Sequence, residues 1–168
     1  MTINSTLRKT NPFVGNGSAS TFPFTFKVFT AAEIVVVKVA TATSTETTLT
    51  LTTDYTVSLN PDQNGNPGGS ITLVSGGVAQ NLATGFNLVI TSAVQSLQGT
   101  DLTNQGGFYP EVINDALDKS VILHQQQQEI IDRSIKFSLT NSIGSLEISE
   151  DANACLLYTS PSPRDGFT

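Results

Sequence analysis

From Thr21 to Ser92 apolar and polar residues alternate in short runs, the period of a strand with one buried face. Phe22, Phe24 and Phe26 alternate with Pro23 and Thr25, and Glu46–Thr52 repeats the pattern through Leu49 and Leu51. In Asp54–Leu59, residues Tyr55, Val57 and Leu59 fall on one side. Ile34–Val39 is β-branched, too short and too branched to favour a helix. Pro23 has no N–H to give a ladder, so its strand is expected at an edge or with the proline turned outward. Ser70–Val74 and Phe86–Ser92 complete a set of about six strands, the spacing of a small antiparallel sandwich or open barrel. The expected core is Phe22, Phe24, Phe26, Val35, Val37, Leu49, Leu51, Tyr55, Val57, Ile71, Leu73, Leu88 and Ile90.

Turn chemistry separates these runs. Asn11–Ser18 carries Gly15 and Gly17, Asn60–Gly69 is composed almost wholly of turn residues and predicts a long hairpin, and Gly76-Gly77 breaks the chain again. After Leu97 the period changes. Pro110 suits a first helical position, and no Gly or Pro interrupts Glu111 to Phe137. Glu111 and Asp115 lie near the start of that run and Arg133 and Lys136 near its end, both favourable to the helix dipole. At 1.5 Å per residue the helix would run roughly 40 Å. The fold class is thus α+β: a small antiparallel β-sandwich-like domain followed by a long C-terminal α-helix. The organisation reads as a flexible leader over 1–10, a β-rich domain over 11–100, a junction and long helix over 101–137, and the start of a downstream region over 138–154.

One stripe of the helix is Ile113, Leu117, Val121, His124, Gln128, Ile131 and Ile135. From Val121 its spacing keeps the 3.5-residue period of a coiled coil, while the first half runs closer to a straight helix. The first half is expected to dock on the β domain and the second to form a self-associating seam. Polar His124 and Gln128 within that seam would lower stability and fix register and oligomer state.

The formal net charge is −6, and the acidic excess sits in and after the helix. Clustered Lys and Arg are missing, which argues against nucleic acid as a partner, since phosphate contacts need them. No apolar run reaches the length of a membrane span, so no membrane insertion is expected. The N-terminus lacks the apolar core of a secretory signal. Candidate chemistry is sparse. Asp62-Gln-Asn-Gly-Asn opens like a calcium loop, but Pro67 stands where glycine is required and no Glu follows at the twelfth place; a plain turn is the better reading. His124 has no partners for catalysis or metal binding, and Asp115 and Asp118 read as a solvated helix face. Gly15-Asn-Gly17 lacks the Lys-Ser/Thr of a phosphate loop. No catalytic, cofactor-binding or metal-ligating residue is assigned, and no cofactor is expected.

Residues 155–168 stand apart. Cys155-Leu-Leu-Tyr-Thr-Ser-Pro-Ser-Pro-Arg-Asp165 resembles a translated sequencing adaptor, because the codons TGT CTC TTA TAC ACA TCT lie in a transposase end sequence used in library preparation. On that reading Cys155 supports no redox argument, and the chain is expected to be an N-terminal fragment whose native sequence runs on after Ala154.

Several motifs in fixed order carry a family resemblance. They are Gly15–Phe29 with its Phe-Pro-Phe strand, Ala32–Val37, Asp54-Tyr-Thr-Val57, Gly69–Leu73, and Asp101–Lys119 with its Asn-Gln-Gly junction, followed by a long helix ending near Asp132-Arg133. Together they resemble the N-terminal domain of bacteriophage tail fibres and tailspikes, especially those of short-tailed phages. The resemblance implies a virion structural protein, made in the bacterial host cytoplasm. Its region 11–100 would anchor a homotrimer to phage tail or adaptor proteins, with the helix as a trimeric stalk. The host surface would be met only through a distal region missing here. The resemblance brings no catalytic residues to this stretch. Lys119 stands where relatives often carry Arg, and Ser120 with the glutamines makes this helix more polar than in many of them. An alternative is the non-catalytic head of a polysaccharide-degrading tailspike enzyme. A bacterial surface adhesin is a third reading, opposed by the missing secretion signal.

Overall fold

A computed structural model describes residues 3, 5–101 and 109–134. The Asn104–Gly107 junction, Ile135, the expected helix end at Phe137, the downstream region 138–154 and the adaptor-like residues 155–168 lie outside the described residues.

Among the described residues eight short strands and one helix follow in order: β1 (Phe13–Val14), β2 (Thr21–Phe24), β3 (Ile34–Ala40), β4 (Glu46–Thr48), β5 (Tyr55–Leu59), β6 (Gly69–Ser75), β7 (Val78–Ala79), β8 (Phe86–Ser92) and α1 (Pro110–Asp132). A 3-10 turn, Ala31–Glu33, leads into β3. They form two antiparallel sheets: one in the order β1-β8-β3-β4, the other β2-β6-β5 with β7 paired to β6. β2 lies at the edge of its sheet and Pro23 points to solvent, as its missing N–H requires.

The core lies between the sheets. Phe22 and Phe24 of β2, Tyr55 of β5, and Ile71 and Leu73 of β6 meet Ile34 and Val36 of β3 and Leu88 and Ile90 of β8, with Phe26, Val28 and Leu82 from the connections. The Tyr55 hydroxyl donates to the Ile34 carbonyl at 2.7 Å and so joins the sheets by a buried hydrogen bond. The β5–β6 connection folds over Gln63. Its amide nitrogen donates to the Asn60 and Gly68 carbonyls, and its oxygen accepts from the Gly68 amide. Gly68 has φ +104°, and a Cβ there would overlap the Phe24 carbonyl, so this tight approach needs glycine.

The expected core changes at five positions. In β3 the inward residues are Ile34 and Val36, while Val35 and Val37 are only half-buried on the other face. An unbroken β-branched run carries no alternation of its own. Its facing is set by partners, here Ile34 against Ser92 and Val36 against Ile90. Leu49, Leu51 and Val57 are partly buried and flank the core. The leader is not loose from Ser5 onward. Its backbone bonds β8, with Thr10 N–H donating to the Ile90 carbonyl at 2.9 Å and Ser92 N–H to the Arg8 carbonyl at 2.8 Å. Finally α1 ends at Asp132, and its 23 residues span roughly 34 Å at 1.5 Å each.

Candidate functional site

The helix and the surfaces it offers form the candidate site. Helical periodicity puts Asp115, Asp118, Ile122, Gln125, Gln126 and Glu129 on one face. Ile122 is fully buried and Asp118 nearly so, with side chains on either side reaching loops of the β module.

At the front, Lys27 is the meeting point. Its ammonium lies 2.7 Å from Asp118 Oδ2, 3.2 Å from Asp115 Oδ1 and 2.6 Å from Asn64 Oδ1, and 5.1 Å from the Phe29 ring centre. The side chains of Lys27 and Asp118 are 4% and 6% exposed, so this ion pair is desolvated; Asp115, at 43%, remains wet. In the middle, the Gln126 carboxamide replaces missing backbone partners just past β8. It accepts from the Ser92 hydroxyl at 2.7 Å and the Val94 amide at 2.8 Å, and donates to the Val94 carbonyl at 3.1 Å. Lys119 donates to the Leu97 carbonyl. Towards the end, Gln125 donates to the Ser5 carbonyl at 3.1 Å, and Glu129 pairs with Lys9 at 2.9 Å and with Arg133. Burial alone would raise the Glu129 pKa, but hydrogen bonds from Arg133 and Lys9, with their charges, outweigh it and hold the group below its ordinary value.

Docking therefore runs along both halves of α1, where docking was expected of the first half and a self-associating seam of the second. The solvated-face reading of Asp118 is corrected with it. A carboxylate that looked exposed is buried because Lys27, 91 residues earlier, meets it.

The expected seam occupies another face. At about 100° per residue, Leu117, Val121, His124, Gln128 and Ile131 centre roughly 130° around the helix from the docked face. Leu117 is 61% exposed, Ile131 50%, and Val121 and His124 are exposed too. Ile113 is half-buried. The His124 Nδ1 lies 2.8 Å from the Ser120 carbonyl oxygen, which only accepts, so that nitrogen carries the proton. Gln128 is exposed and donates to Asp132 at 2.8 Å. Val112 and Ile130 are exposed outside the stripe. Ile135 lies outside the described residues.

Among the described residues there is no group of three or more His, Cys, Asp or Glu side chains that could hold a metal ion, and no helix is long and apolar enough to cross a membrane. The geometry defines a class of protein part, a two-sheet β head with a polar-docked helix whose opposite face is open. No family model matches the chain. Over 116 residues the chain is 35% identical to the tail spike protein of Salmonella phage epsilon15, a match that covers 69% of this chain and 10% of that protein. The chain spans about a tenth of that relative's length and carries a tailspike-related region.

Proposed function

We propose that this chain is a virion structural protein of a phage tail, and that residues 11–100 attach a tail fibre or tailspike to the tail. In this reading the partners are two further copies of the chain and the phage tail or adaptor proteins. The open stripe Leu117–Ile131 is the surface by which three helices associate. The work is mechanical: a distal arm that meets the host surface is held on the particle by packing, without catalysis in this region. The tail-spike likeness is the observation that carries the reading. The open stripe opposite the docked face supports its trimeric form.

Light scattering on Met1–Ala154 tests it. A mass of three chains at high concentration is expected, and Ile131→Asp should shift it towards one chain by placing a charge in an apolar seam. A strict monomer that stays monomeric when the helix is extended by native sequence would overturn the seam. The same head would also suit a polysaccharide-degrading tailspike, a second reading favoured by the tail-spike name of the relative. Native sequence past Ala154 bearing β-helix repeats and acidic clusters would select it.

A further inference from the structure

The N-terminal arm lies between β8 and the far end of α1, and both sides grip it. Along β8, Ser92 N–H and the Thr91 hydroxyl donate to the Arg8 carbonyl at 2.8 and 3.3 Å, and Thr10 bonds Ile90. From the helix, Gln125 donates to the Ser5 carbonyl, and Glu129 pairs with Lys9. Beyond Gln126, Glu129 reaches the module through the arm, and Gln128, Glu129 and Asp132 line with Thr6–Lys9 a cavity of about 320 Å³.

The arm's own seat is costly. Arg8 is buried, donating to the Lys27 carbonyl at 3.0 Å and stacking 5.7 Å from the Phe26 ring centre, with no carboxylate partner among the described residues. Among the described residues its Nε has no hydrogen-bond partner, and neither does Gln125 Oε1. Burial pushes the Arg8 pKa down to about 10. A desolvated cation with an unmet donor opposes the bonds that hold the arm down. Leu7, next to it, is exposed.

We propose that residues 5–9 are a removable clasp for the last turns of α1: lifting the arm from β8 frees Gln127–Asp132, while Lys27 and the Gln126 bonds keep the rest docked. The N-terminus is thereby coupled to the helix end from which the chain continues. A partner that draws the arm away loosens that end without opening the head. This holds whether or not the protein serves on a phage tail.

Hydrogen exchange read by mass spectrometry on the full chain tests it, comparing the parent with Lys9→Ala/Gln125→Ala and with a chain lacking residues 1–9. The double variant keeps Arg8 and the β8 bonds, so it decides the matter if the truncation fails to fold. Loss of one ion pair and one hydrogen bond should speed exchange over 127–132 about tenfold, while 111–122 and 86–92 stay within about twofold of the parent. Equal acceleration over 111–122 and 127–132 would show one docking unit and overturn the clasp. So would no acceleration in either.

Discussion

Replacing Lys27 by methionine keeps the apolar stem and removes the charge that Asp118 faces. The pair is desolvated on both sides, 4% and 6% exposed, with 2.7 Å between charged atoms. Removing one partner of a buried pair costs about 3–5 kcal/mol, because the remaining charge is stranded. Asp115 is 43% exposed, and its loss adds at most about 1 kcal/mol. The helix has an escape, for once it lifts, Asp118 meets water again. The measured loss therefore cannot exceed the free energy that docks the helix, and we expect about 3 kcal/mol. Equilibrium urea unfolding, with parent and variant held at the same chain concentration, should show a lower midpoint. The slope should fall as well if the helix leaves before the head opens. Lys27→Met combined with Asp118→Leu removes both charges and should recover most of the loss, since apolar replacement of a whole buried pair is close to neutral. A single variant within about 0.5 kcal/mol of the parent would refute the reasoning. A double variant no better than the single one would do the same.

The facing of β3 is testable by a paired substitution. Val36→Thr puts a hydroxyl where Val36 is wholly buried and should cost about 1–3 kcal/mol, while Val37→Thr on the half-buried face should cost under about 0.5 kcal/mol by the same unfolding assay. For pH, the depressed Glu129 carboxyl contributes stability that is fully present above its unfolded value of 4.5 and is lost as pH falls through the lower folded value. Exchange over 127–132 should therefore accelerate below about pH 4.5, and Glu129→Gln should flatten that acid dependence; an unchanged profile in the variant would assign it to another group.

Legibility followed periodicity. Phe22, Phe24, Phe26, Tyr55, Ile71, Leu73, Leu88 and Ile90 were readable because each has polar neighbours that declare the outer face, and all eight are buried. Ile34–Val39 was not, because both its faces are apolar and its partners decide. Two-residue strands such as β1 and β7 are too short to show a period. The helix was visible from Pro110 and the unbroken run after it. Its docked face was hidden because it is polar: Asp118, Gln125, Gln126 and Glu129 look like a solvated surface until Lys27, Ser92, Val94 and the arm are brought up to them. Ile122 was the one apolar clue, flanked by Asp118 and Gln126 at helical spacing. The stripe on the other face was legible because apolar residues recur there.

The pairing of the arm and β1 with β8 orders events during synthesis. Thr10 and Phe13 leave the ribosome early, and their partners Ile90 and Leu88 are made some 80 residues later. Until then the unpaired backbone of that stretch is open to other chains, and the two ends can meet only at the cost of closing a long loop. Sheet formation on this side is thus late and non-local, the kind of step that slows folding. A polypeptide released before Phe86 cannot complete it. Ribosomal pausing upstream of β8 would prolong the aggregation-prone interval, and faster passage through Phe86–Ser92 would shorten it.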